Sequence, residues 1–297
     1  MRTVYLGTSA FAAAVLRRVA DSSHRPQLVV TRPDRARGRG RRLAAPPVAA
    51  TACDLGIELS QPESVNGDEA RARIAAADPQ TLIVCAFGAL IREPLLSDHP
   101  ILNVHPSLLP RWRGAAPVER AIMAGDERTG VSIMRLTAGL DSGPVCLTGE
   151  KPIGPRDTYG TLSERLQGLG GELLVRALDE QPAFAEQDEA GVTYAGKITA
   201  EDRRLRGDRS AVESERVVRA LAPHIGAAVM TDGEQRLGVW EAVARPARDG
   251  DPPAGELRLD GVVPVLGCSE GALELTVVQP AGRRAMPGDA FLRGLRG

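Results

Sequence analysis

No stretch of eighteen apolar residues occurs anywhere in this 297-residue chain, so it offers no membrane-spanning helix. The opening residues, Met1 to Gly7, read directly as a strand and carry no apolar leader with a cleavage site; a soluble, cytoplasmic protein with no membrane partner is expected. Cysteine is scarce: Cys53, Cys85, Cys146 and Cys268 lie far apart with no Cys-x-x-Cys pair, which argues against a disulfide framework and for buried free thiols. Lysine is nearly absent, with only Lys151 and Lys197, but an arginine-for-lysine skew carries no functional weight. Excess charge is missing too, since 37 basic and 38 acidic residues leave a net charge of -1 and no global field toward nucleic acid or membrane. There is no internal repeat and no long low-complexity segment. The first strand ends in Gly7-Thr8-Ser9-Ala10-Phe11, without the three-glycine spacing a dinucleotide pyrophosphate needs, so Thr8 or Ser9 reads as a helix cap.

What is present is an ordinary globular composition, 43% hydrophobic and 25% charged, in a length that suits two domains. Apolar runs of strand length recur at residues 4–6, 28–30, 82–86, 101–104 and 131–136. Helix-like stretches lie among them at 12–20, 69–77 and 162–178, the last with Leu162, Leu166, Leu169, Leu173 and Leu174 on one face. Continuous rather than alternating apolar strands mean burial on both faces, so an α/β fold with a doubly wound, mostly parallel sheet is expected over residues 1–197. Ligands of such sheets sit at the carboxyl ends of the strands. The charged stretch at 201–209 reads as part of a linker, 198–210. Residues 211–297 then hold one helix, 213–221, and short strands separated by Asp232-Gly233, Asp249-Gly250, Asp260-Gly261 and Glu270-Gly271, the pattern of a small β-barrel.

The chemistry-bearing segment begins at Asn103 and His105, which close an apolar strand and, being two residues apart, share one face. An amide beside an imidazole at the carboxyl edge of a parallel sheet is equipped to stabilise a developing oxyanion while the histidine holds or moves a proton. Pro106 and Pro110 stiffen the loop that follows. Asp141, in the turn Leu140-Asp141-Ser142-Gly143-Pro144, supplies a carboxylate to orient the imidazole, although alone it reads as a turn residue.

The run Asn-x-His-Pro-Ser-Leu-Leu-Pro and Arg-Gly-Ala-Ala-Pro-Val within residues 103–118, with Gly-Leu-Asp-Ser-Gly at 139–143, resembles the 10-formyltetrahydrofolate-dependent formyltransferases. The resemblance implies a Rossmann-like catalytic domain, Asn103, His105 and Asp141 as catalytic residues, and no metal. It implies 10-formyltetrahydrofolate as the formyl donor, held by Ser107, Leu108, Leu109 and Pro110 and by a pterin loop with Phe87, Gly88 and Leu90. The family pattern is altered at Ala10, Phe87, Thr137-Ala138 and Arg206-Gly207-Asp208.

Residues 32–42 carry six arginines against one aspartate. A solvated basic loop is the plain reading, and contact with a phosphate backbone the functional one. The pattern Arg-Pro-Asp-Arg-x-x-Gly-Arg-Gly resembles the inserted loop of the family members that act on methionyl initiator tRNA. That resemblance implies tRNA contacts at Arg35, Arg37, Arg39, Arg41 and Arg42, and at Arg283 and Arg284 in an OB-like C-terminal domain, in a monomeric enzyme. The alternatives are another user of formyl-folate, such as a sugar-nucleotide formyltransferase, and an RNA-binding module without catalysis.

Overall fold

The apolar runs become the interior of a seven-stranded sheet. In the computed structural model, which describes residues 1–37, 42–231 and 235–296, the first compact unit comprises Met1–Gly114, Thr129–Lys151 and Ser163–Tyr194. Its strands in chain order are β1 (Thr3–Gly7), β2 (Leu28–Val30), the pair β3 (Arg35–Arg37) and β4 (Arg42–Ala44), β5 (Glu58–Ser60), β6 (Thr81–Cys85), β7 (Ile101–His105), β8 (Arg113–Gly114), β9 (Arg128–Arg135), β10 (Val145–Pro152) and β11 (Tyr194–Ala195). The main sheet has the order β10-β9-β7-β6-β1-β2-β5; β5, β2, β1, β6 and β7 are parallel, and β9 runs antiparallel to β7. The chain moves outward from β1 to β2 and β5, then returns to lay β6 on the other side of β1. That reversal leaves a crevice beyond the carboxyl ends of β1 and β6, the place where doubly wound sheets bind ligands.

Helices α1 (Ala10–Ala20), α2 (Pro47–Asp54), α3 (Asp68–Ala76), α4 (Leu95–Asp98), α5 (Pro117–Ala124) and α6 (Tyr159–Glu180) follow strands or connect them. Ser9 caps α1, its hydroxyl accepting from the Ala12 N–H at 3.2 Å, whereas the Thr8 hydroxyl donates instead to the Phe87 carbonyl at 2.7 Å. Gly7 must lack a side chain: a Cβ there would meet the Tyr5 ring at 2.7 Å and the Ala12 methyl at 2.9 Å. The leucine face of α6 is buried through Leu162, Leu166, Leu173, Leu174 and Leu178, where truncating any one to alanine costs about 2–5 kcal/mol. Of the thiols, Cys85 and Cys268 are buried and Cys146 is half-buried, but Cys53 lies exposed at the end of α2 and corrects the expectation of four buried cysteines. Burial pushes the Cys85 thiol up to about 12, so it packs as a neutral group.

The second unit, Ala115–Arg128, Pro152–Leu162 and Ala195–Gly297, holds α7 (Ala211–Leu221), β12 (Ala227–Met230), β13 (Arg236–Arg245), β14 (Leu257–Arg258), β15 (Val265–Gly267), β16 (Ala272–Gln279), β17 (Met286–Pro287) and α8 (Gly288–Arg296). A complete capping box starts α7, with Ser210 and Glu213 each bonding the other's backbone N–H. The helix covers a core of Val217, Val218, Leu221, Val229, Val239, Leu266, Leu273 and Leu275. The strand order is β12-β13-β16-β15-β14, with β17 against β16. The evenly spaced turns predict a closed barrel; the described strands make only an open antiparallel half-barrel, because β14 and β17 are two residues long and too short to complete a wall. Gly207 abuts the backbone of Gly255, which leaves no room for an aromatic side chain there. Asp232 and Gly233 lie outside the described residues. Among the described residues no helix is long and apolar enough to cross a membrane.

Candidate active site

Strand β7 buries Asn103 and His105 at its carboxyl end, with 7% and 4% exposure. Asp141 reaches them from the turn after β9. Its Oδ1 accepts from Asn103 Nδ2 at 3.4 Å, its Oδ2 accepts from the Gly114 N–H at 2.9 Å, and the same Oδ2 stands 3.6 Å from His105 Nδ1. The other imidazole nitrogen, Nε2, is 2.9 Å from the Trp112 carbonyl. A carbonyl only accepts, so Nε2 carries the hydrogen and Nδ1 is the position that binds or releases a proton beside Asp141. The three residues singled out from the sequence are therefore brought together, and Asp141 is the hub.

The hub is held by strained backbone. Among the described residues, five non-glycine residues have left-handed φ, and two of them are here, Asp141 at 44° and Trp112 at 65°, while Ala86 at 41° lies in the wall of the neighbouring cleft. Gly114, at φ 123°, presents its N–H to Asp141 from a conformation other residues reach only with strain.

The loop after β7 is braced from inside. Ser107 is fully buried; its hydroxyl donates to the Arg111 carbonyl at 2.6 Å, and its carbonyl accepts from Ser132 Oγ at 2.8 Å. Ser132 Oγ also accepts from the Leu109 N–H at 3.1 Å. Leu108, Leu109 and Pro110 stay half-buried, so they and not the serine hydroxyl are open to the surface. Trp112 packs locally: its N–H donates to Thr193 Oγ1 at 2.9 Å, and the Arg111 guanidinium lies 4.4 Å over its ring.

At the crevice beyond β1 and β6 is an open cleft of about 630 Å³, with Thr8, Ala10, Arg32, Ala86, Phe87 and Gly88 in its wall. Phe87 is at once cleft wall and core, 4% exposed and packed with Val84 and Ile91. Arg32 donates to the Gly88 carbonyl at 2.7 Å, which fixes the rim. Leu90 projects outward, 66% exposed. Arg35 is exposed, and the backbones of Arg37 and Arg42 pair as the ends of β3 and β4. Arg39 and Arg41 lie outside the described residues. Arg283 and Arg284 are exposed in the second unit, in the turn between β16 and β17. Among the described residues no group of three or more His, Cys, Asp or Glu is placed to hold a metal ion.

Two supporting residues, Gln187 and Glu189, escape sequence reading, and a third, Arg113, enters it only as the first residue of Arg-Gly-Ala-Ala-Pro-Val. Gln187 Nε2 donates to the carbonyls of Asp141 and Gly143, at 2.8 and 2.7 Å. Its Oε1 accepts from Arg113 Nε at 3.0 Å, and buried Arg113 also pairs with Glu189 at 3.0 Å. Forty-six residues separate Gln187 from Asp141, and no local pattern announces the contact.

The family model described as "Formyl transferase" matches residues 1–178, and "Formyl transferase, C-terminal domain" matches 197–296. The chain is 42% identical over 298 residues to a methionyl-tRNA formyltransferase of Dechloromonas aromatica, covering 99% of this chain and 96% of that protein. It is 41% identical over 298 residues to the methionyl-tRNA formyltransferase of Ruegeria pomeroyi, covering 99% and 97%. Among solved structures, a variant of HypX from Aquifex aeolicus superposes with a TM-score of 0.68 at 18% identity; the match covers all of this chain and 48% of that one, and bears on the fold alone.

Proposed function

Because the chain belongs to the formyl transferase family, among the methionyl-tRNA formyltransferases, it is a one-carbon transferase, and we propose that Asn103, His105 and Asp141 carry its reaction. That reaction moves the formyl group of 10-formyltetrahydrofolate to the α-amine of methionyl initiator tRNA, giving N-formylmethionyl-tRNA and tetrahydrofolate for translation initiation. The observation that carries the residue assignment is the convergence of an amide, an imidazole and a backbone N–H on the Asp141 carboxylate, one strand away from the crevice beyond β1 and β6.

The cleft suits the donor: it is open and walled by apolar Phe87 beside residues 86–88 of the backbone. In this reading Phe87, Gly88 and Leu90 hold the pterin end, and Ser107, Leu108, Leu109 and Pro110 form the loop over it. When bound, the donor supplies an electrophilic formyl carbon. Asn103 Nδ2 has two hydrogens; Asp141 takes one, and the other is donated to the formyl oxygen as negative charge grows on it, a contact worth about 3 kcal/mol of barrier. His105 Nδ1, facing Asp141, takes the proton released by the attacking amine and returns it to N10 of the departing folate. Gly114 and Gln187 hold Asp141 in place throughout.

We assign residues 1–197 to catalysis, 198–210 to a connecting segment whose residues 203–205 pair with β12 and bury Leu205 in the second core, and 211–297 to a tRNA-binding domain whose half-barrel sheet serves as an OB-like barrel. The basic segment with Arg35, Arg37, Arg39, Arg41 and Arg42 in the first unit, and separately Arg283 and Arg284 in the second, are the proposed tRNA contacts of a monomeric, cytoplasmic enzyme. The test is formyl transfer by purified protein to methionyl initiator tRNA against free methionine, read by acid gel or mass. Formylation of the tRNA alone is expected. Consumption of formyl-folate without tRNA product would leave the three residues in place and overturn the acceptor.

A further inference from the structure

A neutral imidazole carries one ring hydrogen on two nitrogens, so proton uptake at His105 Nδ1 depends on that hydrogen staying at Nε2. Two acceptors compete for it. Asp141 Oδ2 stands 3.6 Å from Nδ1, and the Trp112 carbonyl stands 2.9 Å from Nε2. The carboxylate is the stronger acceptor by charge. Its two oxygens already accept from Asn103 and from the Gly114 N–H, at a position beyond normal hydrogen-bond reach of the ring. Nε2 therefore keeps the hydrogen only while the Trp112 carbonyl keeps its aim.

That aim has to be imposed. Trp112 sits at φ 65°, a left-handed conformation that an aromatic residue leaves when its surroundings allow, and leaving it would turn the peptide plane that carries the carbonyl. Both peptides flanking the Trp112 Cα end on one residue, Thr193, 81 positions further along the chain. The N–H of the first peptide, that of Trp112, donates to Thr193 Oγ1 at 2.9 Å. The N–H of the second, that of Arg113, donates to the Thr193 carbonyl at 2.9 Å. In a trans peptide the N–H and the C=O point in opposite directions across one plane. Tying the Arg113 N–H to Thr193 on one side thus directs the Trp112 carbonyl to the other, where His105 lies. The Thr193 N–H closes the grip on the Pro110 carbonyl at 3.4 Å. Neighbours of Thr193 support it: a Cβ at Gly191 would meet the Pro110 ring at 3.1 Å, and Gln187 and Glu189 hold the Arg113 guanidinium.

We infer that Thr193 is a positioning residue for the proposed reaction: by gripping the peptides on both sides of Trp112 it aims the Trp112 carbonyl at His105 Nε2, keeps the ring hydrogen there and leaves Nδ1 open to the proton of the attacking amine. The inference rests on the reading of His105 as the group that moves that proton. Thr193 touches neither substrate nor the reacting atoms in this account, and its hydroxyl is the part of the grip that a substitution removes while the backbone contacts stay.

The test uses the full-length protein with its four histidines labelled with nitrogen-15, and reads the tautomer of each ring from two-bond proton–nitrogen spectra at about pH 9, where an ordinary imidazole is neutral. The His105 signals are those lost in His105→Gln. In the parent the hydrogen is expected on Nε2. Thr193→Val, equal in shape but without the acceptor, should populate the Nδ1–H form, lower kcat about tenfold with a displaced pH–rate profile, and leave the donor's binding constant within about twofold. Thr193→Ser keeps the acceptor and should recover most of both, which a packing defect at the lost methyl would not. A parent ring with its hydrogen on Nδ1 would overturn the inference, as would a valine variant that keeps the parent's tautomer and pH profile. Because the tautomer is read without turnover, a protein inactive in formyl transfer whose ring still changes tautomer in Thr193→Val would keep the link from Thr193 through Trp112 to His105 while the proposed reaction fell.

Discussion

Histidines are set against carboxylates in both units, and the pairs at His224 and His105 are built in opposite ways. In the second unit His224 Nε2 meets Glu119 Oε1 at 3.0 Å, and its ring stacks on Tyr159 with centroids 3.7 Å apart. Both the edge and the face of that imidazole are engaged. In the first unit Asp141 already accepts from Asn103 and from the Gly114 N–H, while His105 Nδ1 stands 3.6 Å away, beyond a normal hydrogen bond. A short, directional contact backed by stacking pins a fold. An imidazole with one nitrogen anchored and the other loosely facing a shared carboxylate is free to exchange a proton there. Under the proposed reaction the difference separates a locking histidine from a working one, although from the sequence both are lone histidines.

The comparison breaks first, and hardest, at the working pair. Asn103→Ala should lower kcat by about 10²–10³ with the donor's binding constant little changed, and Asp141→Asn should act in the same direction; normal turnover in steady-state assays would remove these residues from the mechanism. A carboxylate of the locked kind is Asp202, which takes a bidentate grip from Arg120 at 2.6 and 2.9 Å and accepts from Thr199. The Arg120 guanidinium holds it at about 2 against an ordinary 3.8. A depressed acid of this kind stabilises the fold above its unfolded pKa, near 3.8, and loses that contribution as pH falls through about 2. Asp202→Asn should therefore cost about 2 kcal/mol in urea unfolding at pH 7, with the gap to the parent closing between pH 4 and pH 2; a gap independent of pH would mean the loss is packing and not charge.

Smaller effects sharpen the contrast. Gln187→Leu frees the Asp141 and Gly143 carbonyls without touching the reacting groups, so a drop of about tenfold in kcat with a displaced pH–rate profile is expected, as positioning requires. A profile that keeps its shape would reduce Gln187 to a scaffold residue. Last comes the locked pair: His224→Ala should lower stability by about 1 kcal/mol, seen in the melting temperature, while turnover at 25 °C stays within about twofold. A large loss of turnover there would erase the distinction drawn between the two histidines.

Legibility in the sequence followed burial. The interior strands β1, β2, β6 and β7 are covered on both faces, so they read as unbroken apolar runs. The two edge strands, β5 and β10, passed unnoticed because only one side of each is packed and their residues stay largely half-buried or exposed. The hairpin β3–β4 was hidden for a different reason, since arginines dominate its strands and local charge says loop. Regular Asp-Gly turns suggested a closed barrel, yet turn spacing reports how strands connect and not how long they are.

The motifs that carry the family resemblance, and through it the expected reaction class, lie in the chain's own local patterns. Asn103 and His105 lie two apart on a strand, prolines follow, and Asp141 sits in a turn 36 residues beyond His105; these are local patterns, and local patterns survive in one dimension. Tertiary structure alone decided that Asp141 is the hub, that Gln187 and Arg113 brace it, and that Thr193 meets Trp112 across 81 residues of chain. It also decided which histidine is locked. Such contacts depend on which strand ends the crossovers bring side by side, and on a few left-handed backbone turns whose strain the packed surroundings hold, so no periodicity along the chain encodes them.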